Sequence, residues 1–377
     1  MMKKVFLLIL LLLTACGSNT EPVPTPPPEP KVERVSFVGC GDNIIYKGNT
    51  GEAKALAANG REYDFRPMYS EVRELVEGAD VAFINQETLM CGEGYEVSYY
   101  PMFNSPQQVG FDLLEVGYDV VNIANNHMLD KGAGGLLKTI EFWKAQPSLM
   151  IGGYENEADY NEPRVLEKNG IKIAFLSYTY GTNGMMLPEG SQLKIPYIDD
   201  ADIAGDIERA KAVSDFTIVS VHWGEEGAFT PNDEQKKTAQ LIADSGADVI
   251  LGHHPHVIQP VEWIEGASGT RTLCVYSLGN FAAEQAYDYN MVGGMIQFDI
   301  VQTDDQKASL ENVVFNPTVF HFNAKFRNNK VYLMQNYTAE LAAKHGVKTY
   351  YKNPLSYDGL VAYAKNTVSA EFLPDGF

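Results

Sequence analysis

The chain reads as an α/β protein, a layered sandwich of strands and helices, and three observations carry that reading. Six short apolar runs rich in β-branched residues are each followed at once by polar residues. Amphipathic, helix-like stretches lie between them. No repeat of twenty to fifty residues runs through the chain, which excludes solenoid and propeller architectures.

The runs are VSFVGC before Gly41-Asp42-Asn43, VAFI before Asn85-Gln86-Glu87, and VVNIA before Asn125-Asn126-His127. FTIVSV precedes His222-Trp223-Gly224, DVIL precedes Gly252-His253-His254-Pro255-His256, and LCVYS precedes Leu278-Gly279-Asn280. Runs this short and this apolar predict strands buried on both faces. The spacing predicts helices over 71–77, 134–143 and 233–245; the last follows Pro231 and repeats apolar side chains at Ala239, Ile242 and Ala243. Strands alternating with helices form an α/β fold, and polar residues at the carboxyl ends of neighbouring strands converge on one sheet edge. The six tips are therefore expected to meet in space.

The first residues, MMKK, then VFLLILLLL, then TACGS, have the charged, apolar and small-residue order of an export signal. The apolar run is far shorter than the roughly 20 residues that span a bilayer. Leu13-Thr14-Ala15-Cys16-Gly17 resembles a bacterial lipoprotein processing site, which implies a lipid on Cys16 and residence on the outer face of the cytoplasmic membrane. An ordinary signal peptide is the alternative. Residues 1–16 are thus expected to be signal and 17–31, GSNTEPVPTPPPEPK, an extended spacer. Residues 32–318 are expected to form the main domain. Residues 319–377, with helix-like pieces at 338–344 and 357–368, are expected to be a C-terminal appendage or cover.

A net charge of -20 disfavours nucleic acid as a partner, and it repels other polyanions unless bound cations create a local positive site. Beyond Cys16 remain Cys40, Cys91 and Cys274, an odd number without C-x-x-C spacing, so no disulfide framework is implied. Cys40 and Cys274 lie in or beside apolar runs and read as small buried residues.

Five of the seven histidines, His127, His222, His253, His254 and His256, fall in the strand tips. His321 and His345 lie outside and read as satisfied structural histidines. On extended backbone an H-x-H pair such as His254 and His256 points both rings to one side. Asp42, Glu87 and the amides of Asn125 and Asn126 join them. Such mixed ligands suit zinc, manganese or iron, and the absence of cysteine argues against structural zinc. A hydrogen-bonded polar cluster without metal is the alternative.

At these residues the sequence resembles the CapA family, the bacterial capsule or poly-γ-glutamate synthesis proteins, related to the calcineurin-like metallophosphoesterases. The matching pieces are Gly41-Asp42, Asn85-Gln86-Glu87, ANNHMLDKG at 124–132, SYTYGTN at 177–183, HWGEE at 222–226, GADVILGHHPHVIQ at 246–259 and YSLGNF at 276–281. The resemblance implies a sandwich of the metallophosphoesterase type holding one or two divalent ions (manganese, zinc or iron), with hydrolase-type chemistry. Its implied ligands are Asp42, Glu87 as the bridging carboxylate, Asn126, His222, His254 and His256, with His127 protonating the leaving group. Asn85, Asn125, His253, Asn183 and Asn280 are expected to support the ligands or touch substrate. An anionic capsule polymer or its precursor and membrane synthase subunits are the implied partners. The phosphoesterases carry D-x-H on the first strand, whereas Asn43 and Ile44 follow Asp42 here. One ion position thus lacks a ligand, unless a group such as His253 is recruited. The rival reading is a non-catalytic, metal-binding surface component of a polymer synthase or export complex. Two insertions, 88–108 and 179–197, are expected as lids over the site or as locally packed surface loops.

Overall fold

β1 (Val32–Asn43) lies in the middle of the first of two sheets, and the computed structural model that contains it describes residues 30–267, 269–304 and 306–377. Cys16, the signal segment and residues 17–29 of the spacer lie outside the described residues. Parallel to β1 run β2 (Val81–Gln86), β3 (Val120–Asn122) and β4 (Leu149–Ile151), in that order outward. The second sheet holds β5 (Arg164–Lys168), β6 (Ile171–Thr179), β7 (Phe216–His222), β8 (Val249–His253), β9 (Val261–Glu265) and β10 (Arg271–Val275), in the order β5-β6-β7-β8-β10-β9. Its four inner strands are parallel and its edge strands β5 and β9 antiparallel. β11 (Asn280–Ala282) returns to the first sheet beside the end of β1, and β12 (Val292–Thr303), β13 (Ser309–His321) and β14 (Lys330–Leu333) extend that sheet on the side of β1 away from β2 as an antiparallel meander.

The strand pattern explains the layering. In β7, Phe216 and Ile218 join the large central core with Val249 and Leu251 of β8, while Val219 and Val221 face the other way with Ile250. The outward set is covered by the helices Ile203–Lys211 and Asp233–Asp244 through Ile203, Ile207, Ala239 and Ile242. Alternate side chains thus serve different cores, which is why the runs read as continuously apolar. Within the first sheet the rings of Phe37 and Phe298 stack at 4.6 Å, and Phe216 of β7 approaches Phe298 from the second sheet at 6.5 Å.

The expected helices form as Arg73–Glu77, Gly132–Lys144 and Asp233–Asp244. The last is capped by Asn232, whose side chain accepts from the Gln235 backbone while Gln235 reaches back to the Asn232 N–H. The six tips meet as expected, but they come from two sheets rather than from one edge: β1, β2 and β3 from the first, β7, β8 and β10 from the second. The boundary expected after residue 318 falls inside β13. Residues 319–377 pack into the same central core through Val331, Met334, Leu360 and Phe372, and Val32–Phe377 form one unit. Among the described residues no helix is long and apolar enough to cross a membrane.

Candidate metal centre

Asp42 stands at the end of β1, where Asp42 N donates to Gly279 O at 2.9 Å and β11 draws Asn280 level with it. Its Oδ1 accepts from Asn85 Nδ2 at 2.8 Å; Asn85 Oδ1 accepts from Asn122 Nδ2 at 2.8 Å, and Asn122 Oδ1 from Ser177 Oγ at 2.5 Å. This chain of amides and a hydroxyl ties three strands of the first sheet to β6 of the second. On the other side, Asp42 Oδ2 lies 3.2 Å from His256 Nδ1 and accepts from His254 N at 3.2 Å.

Glu87 follows β2, and both of its carboxylate oxygens are buried without a hydrogen-bond partner. Its Oε1 lies 3.7 Å from His256 Nε2 and 4.0 Å from His222 Nε2. His222 Nε2 donates to Asn126 Oδ1 at 3.0 Å, and the His222 ring is 4.8 Å from that of His254. All six expected ligands therefore come together. Asp42, Glu87 and His256 each offer a ligand atom within 4.8 Å of the other two.

The H-x-H geometry differs from expectation. β8 ends at His253, and His254 and His256 have φ of 97° and 56°, so neither is extended. The rings still reach the site because the left-handed turns fold the loop back over β1. Non-glycine residues held in that region are strained, and such strain gathers at functional sites.

The charges of the site are unbalanced. Burial alone would push the Asp42 carboxyl up, but hydrogen bonds and positive charge from His253 and His256 hold it well below its ordinary range. Burial and then the Asp42 charge push Glu87 well above its own. Burial opposes protonation of His256, yet Glu87 and Asp42 outweigh it and raise the ring to about 9. His254 is lowered to about 3 by burial and by His256, and His222 is lowered by burial and by His254. A buried carboxylate without hydrogen-bond donors is costly, and a divalent cation is what this donor set of carboxylate, imidazole and amide would neutralise it with.

His127 follows Asn125, whose Oδ1 accepts from His127 N at 2.8 Å. His127 Nδ1 and Asp130 Oδ2 are 2.8 Å apart, and the ring packs edge-on against Phe103 at 4.8 Å. Asp130 Oδ2 also accepts from Phe103 N at 2.6 Å. The insertion 88–108 is thereby anchored as a wall beside His127. The other insertion lies over the site: Tyr180 packs on His254 at 4.6 Å, and Asn126 Nδ2 donates to Asn183 Oδ1 at 3.2 Å.

Among the supporting residues, Asn280 Nδ2 donates to His256 O at 3.3 Å and Asn290 O at 3.0 Å, bracing the histidine loop. His253 is fully buried against Phe83, with Nδ1 3.4 Å from Asp42 Oδ1, so it stands behind the carboxylate. Ile44, in the place where the phosphoesterase pattern has histidine, packs with Phe103 and Ala283. Asp130, Tyr180 and Glu226 also stand at the site, beyond the residues expected from sequence. Glu226, His254 and His256 form a second group with ligand atoms within 4.8 Å of one another. The one sequence signal for Asp130, Tyr180 and Glu226 is their position inside the segments ANNHMLDKG, SYTYGTN and HWGEE. Outside the site, His321 Nδ1 pairs with Tyr337 OH at 2.8 Å, and His345 Nε2 donates to Phe320 O at 2.9 Å. Cys40, Cys91 and Cys274 are free and buried.

Comparison with known proteins identifies the family. The family model for the bacterial capsule synthesis protein PGA_cap matches residues 36–285. The chain is 33% identical over 199 residues to the PGA biosynthesis protein CapA of Bacillus subtilis (strain 168), covering 50% of this chain and 48% of that protein. It is 32% identical over 206 residues to the capsule biosynthesis protein CapA of Bacillus anthracis, covering 54% and 48%. The match thus spans about half the length of these curated relatives. Among solved structures, the calcineurin-like phosphoesterase YfkN from Bacillus subtilis aligns over 89% of this chain and 100% of that one, at 11% identity and a TM-score of 0.41, too distant to bear on chemistry. With the family model matched from the first strand through the last tip, the chain belongs to the CapA family of bacterial capsule synthesis proteins.

Proposed function

We propose that this protein is a lipid-anchored component of capsule polymer production, of the poly-γ-glutamate type, with a metal-dependent hydrolase site on the outer face of the cytoplasmic membrane. The observation that carries the hydrolase reading is Glu87: two partnerless carboxylate oxygens, buried between Asp42, His222 and His256. Asp42, Glu87, Asn126, His222, His254 and His256 would hold the ion or ions. A bound divalent ion supplies Lewis-acid polarisation of a phosphoester or acyl oxygen and a nucleophile at neutral pH.

The chain's own groups do the rest. Asp130 engages His127 Nδ1, which leaves Nε2 to hand a proton to the leaving group. The Asn85–Asn122–Ser177 chain holds Asp42 in place, and Tyr180 covers one side of the histidines and keeps water from them. An anionic polymer would be drawn only to the metal edge of so acidic a body.

The test is Glu87→Gln. Elemental analysis of the purified wild type should find bound transition metal that the variant lacks. After chelation, manganese at a hundredfold excess over its Kd should stabilise the wild type by about 2.7 kcal/mol and the variant hardly at all. Metal-free wild type that ignores manganese would sink the proposal.

A non-catalytic role is favoured by one observation, the apolar Ile44 where a ligand histidine would stand. Capsule formation in cells carrying His127→Ala separates the two readings, since full rescue supports the scaffold.

A further inference from the structure

We infer that Glu226 is the ligand that holds a second divalent ion in this centre, beside His254. The inference rests on the metal-binding reading above and specifies how that centre reaches two ions.

The two ligand groups overlap at His256. One imidazole nitrogen serves one ion, and His256 is already committed between Asp42 and Glu87 by its 3.2 and 3.7 Å approaches. That leaves Glu226 and His254 as a free carboxylate–imidazole pair on the solvent side. His254 is 4% exposed with its Nδ1 unpartnered, so a buried nitrogen there lacks the partner it needs.

Glu226 could be read as an ordinary solvated glutamate, but its loop is not free. Gly224 and Gly227, at φ 86° and 75°, turn the chain after β7, and Gly227 N donates to Pro255 O at 2.8 Å within the histidine loop itself. Gln259 Nε2 donates to Ala228 O at 2.8 Å and accepts at its Oε1 from Gln235 Nε2 at 2.9 Å, which fastens the far side of the turn to a helix. The carboxylate is therefore carried on the same rigid assembly as His254 and His256. Its charge acts on both Glu87 and Tyr180.

His253 does not fill this role. Its ring is enclosed behind Asp42 against Phe83, on the protein side of the carboxylate. The arrangement yields one enclosed ion at Asp42, Glu87 and His256 and one exposed, exchangeable ion at Glu226 and His254. Carboxylate with imidazole suits manganese, iron or zinc at either place.

The experiment titrates the chelator-stripped full-length chain in detergent with manganese alone, reading stoichiometry by calorimetry and ion–ion coupling by electron paramagnetic resonance. The wild type should take up two ions per chain and show a coupled pair. Glu226→Gln should lose the coupled signal and weaken the looser ion by about tenfold or more, while the tighter ion keeps its affinity; Glu226→Asp should restore part of the loss. Two ions of unchanged affinity in Glu226→Gln, or a single ion in the wild type, would overturn the inference while leaving a mononuclear centre standing. No ion at all in the wild type would instead overturn the metal-binding reading beneath it.

Discussion

In the proposed hydrolase reaction Asp130 would act through His127 without touching substrate. Its carboxylate accepts from Phe103 N and pairs with His127 Nδ1, so the imidazole is held in one orientation with Nε2 free. Asp130→Asn would keep the shape but supply an amide where a carboxylate fixes the tautomer. Turnover is expected to fall by about 10²–10⁴-fold, with manganese affinity and melting temperature close to wild type. A hydrolysis assay beside a metal titration checks this, and a parallel fall in metal binding would place Asp130 in the metal centre instead. Glu87, whose buried oxygens lack hydrogen-bond partners, is the group that a bound cation would relieve.

At the scale of elements, the site depends on how closely β11 approaches β1. A Cβ on Gly41 would sit 2.1 Å from Gly279 O, the carbonyl that accepts from Asp42 N at 2.9 Å. Gly279 itself, at φ 64°, makes the turn that brings Asn280 level with Asp42. The obstacle is backbone, so no rotamer change relieves it. Gly41→Ala is expected to cost on the order of 2–3 kcal/mol and to weaken metal binding, because it displaces Asp42 and Asn280 together. Chemical denaturation with and without manganese measures both effects. The histidine loop makes a related point: its rings meet through left-handed turns, not through the alternation of a strand.

Across the whole molecule, acid stability is set in part far from the metal centre. His345 donates from Nε2 to Phe320 O and accepts at Nδ1 from Val347 N at 3.0 Å, so both nitrogens are satisfied only in the neutral ring. Burial lowers it to about 4, and burial with the neighbouring His345 lowers His321 to about 3. Both values lie below that of an unfolded histidine, near 6.5. The stability these rings contribute is therefore complete above pH 6.5 and lost as pH falls through their folded values. By pH 5 each should have cost about 2 kcal/mol relative to pH 7. Urea denaturation at the two pH values should show this loss, reduced in His345→Gln; an unchanged slope in that variant would mean the proton goes elsewhere. Residues 319–377 thus act as part of the domain, through a shared core and these two rings.

Much of the site was legible in the order of residues. Apolar runs bounded by polar tips follow directly from strands buried on two faces, and the histidine-rich tips pointed to a cation because mixed carboxylate, imidazole and amide groups at one place suit a divalent ion. Three matters were decided only in the folded chain. The tips belong to two sheets, since short buried strands look alike whichever sheet they join. The stretch after residue 318 belongs to the body, because the pairing of β13 and β14 is a long-range contact that no local pattern announces. Glu226 and Asp130 matter through loops whose course depends on hydrogen bonds to distant backbone, and a glutamate in a turn has no sequence mark to separate it from a solvated one.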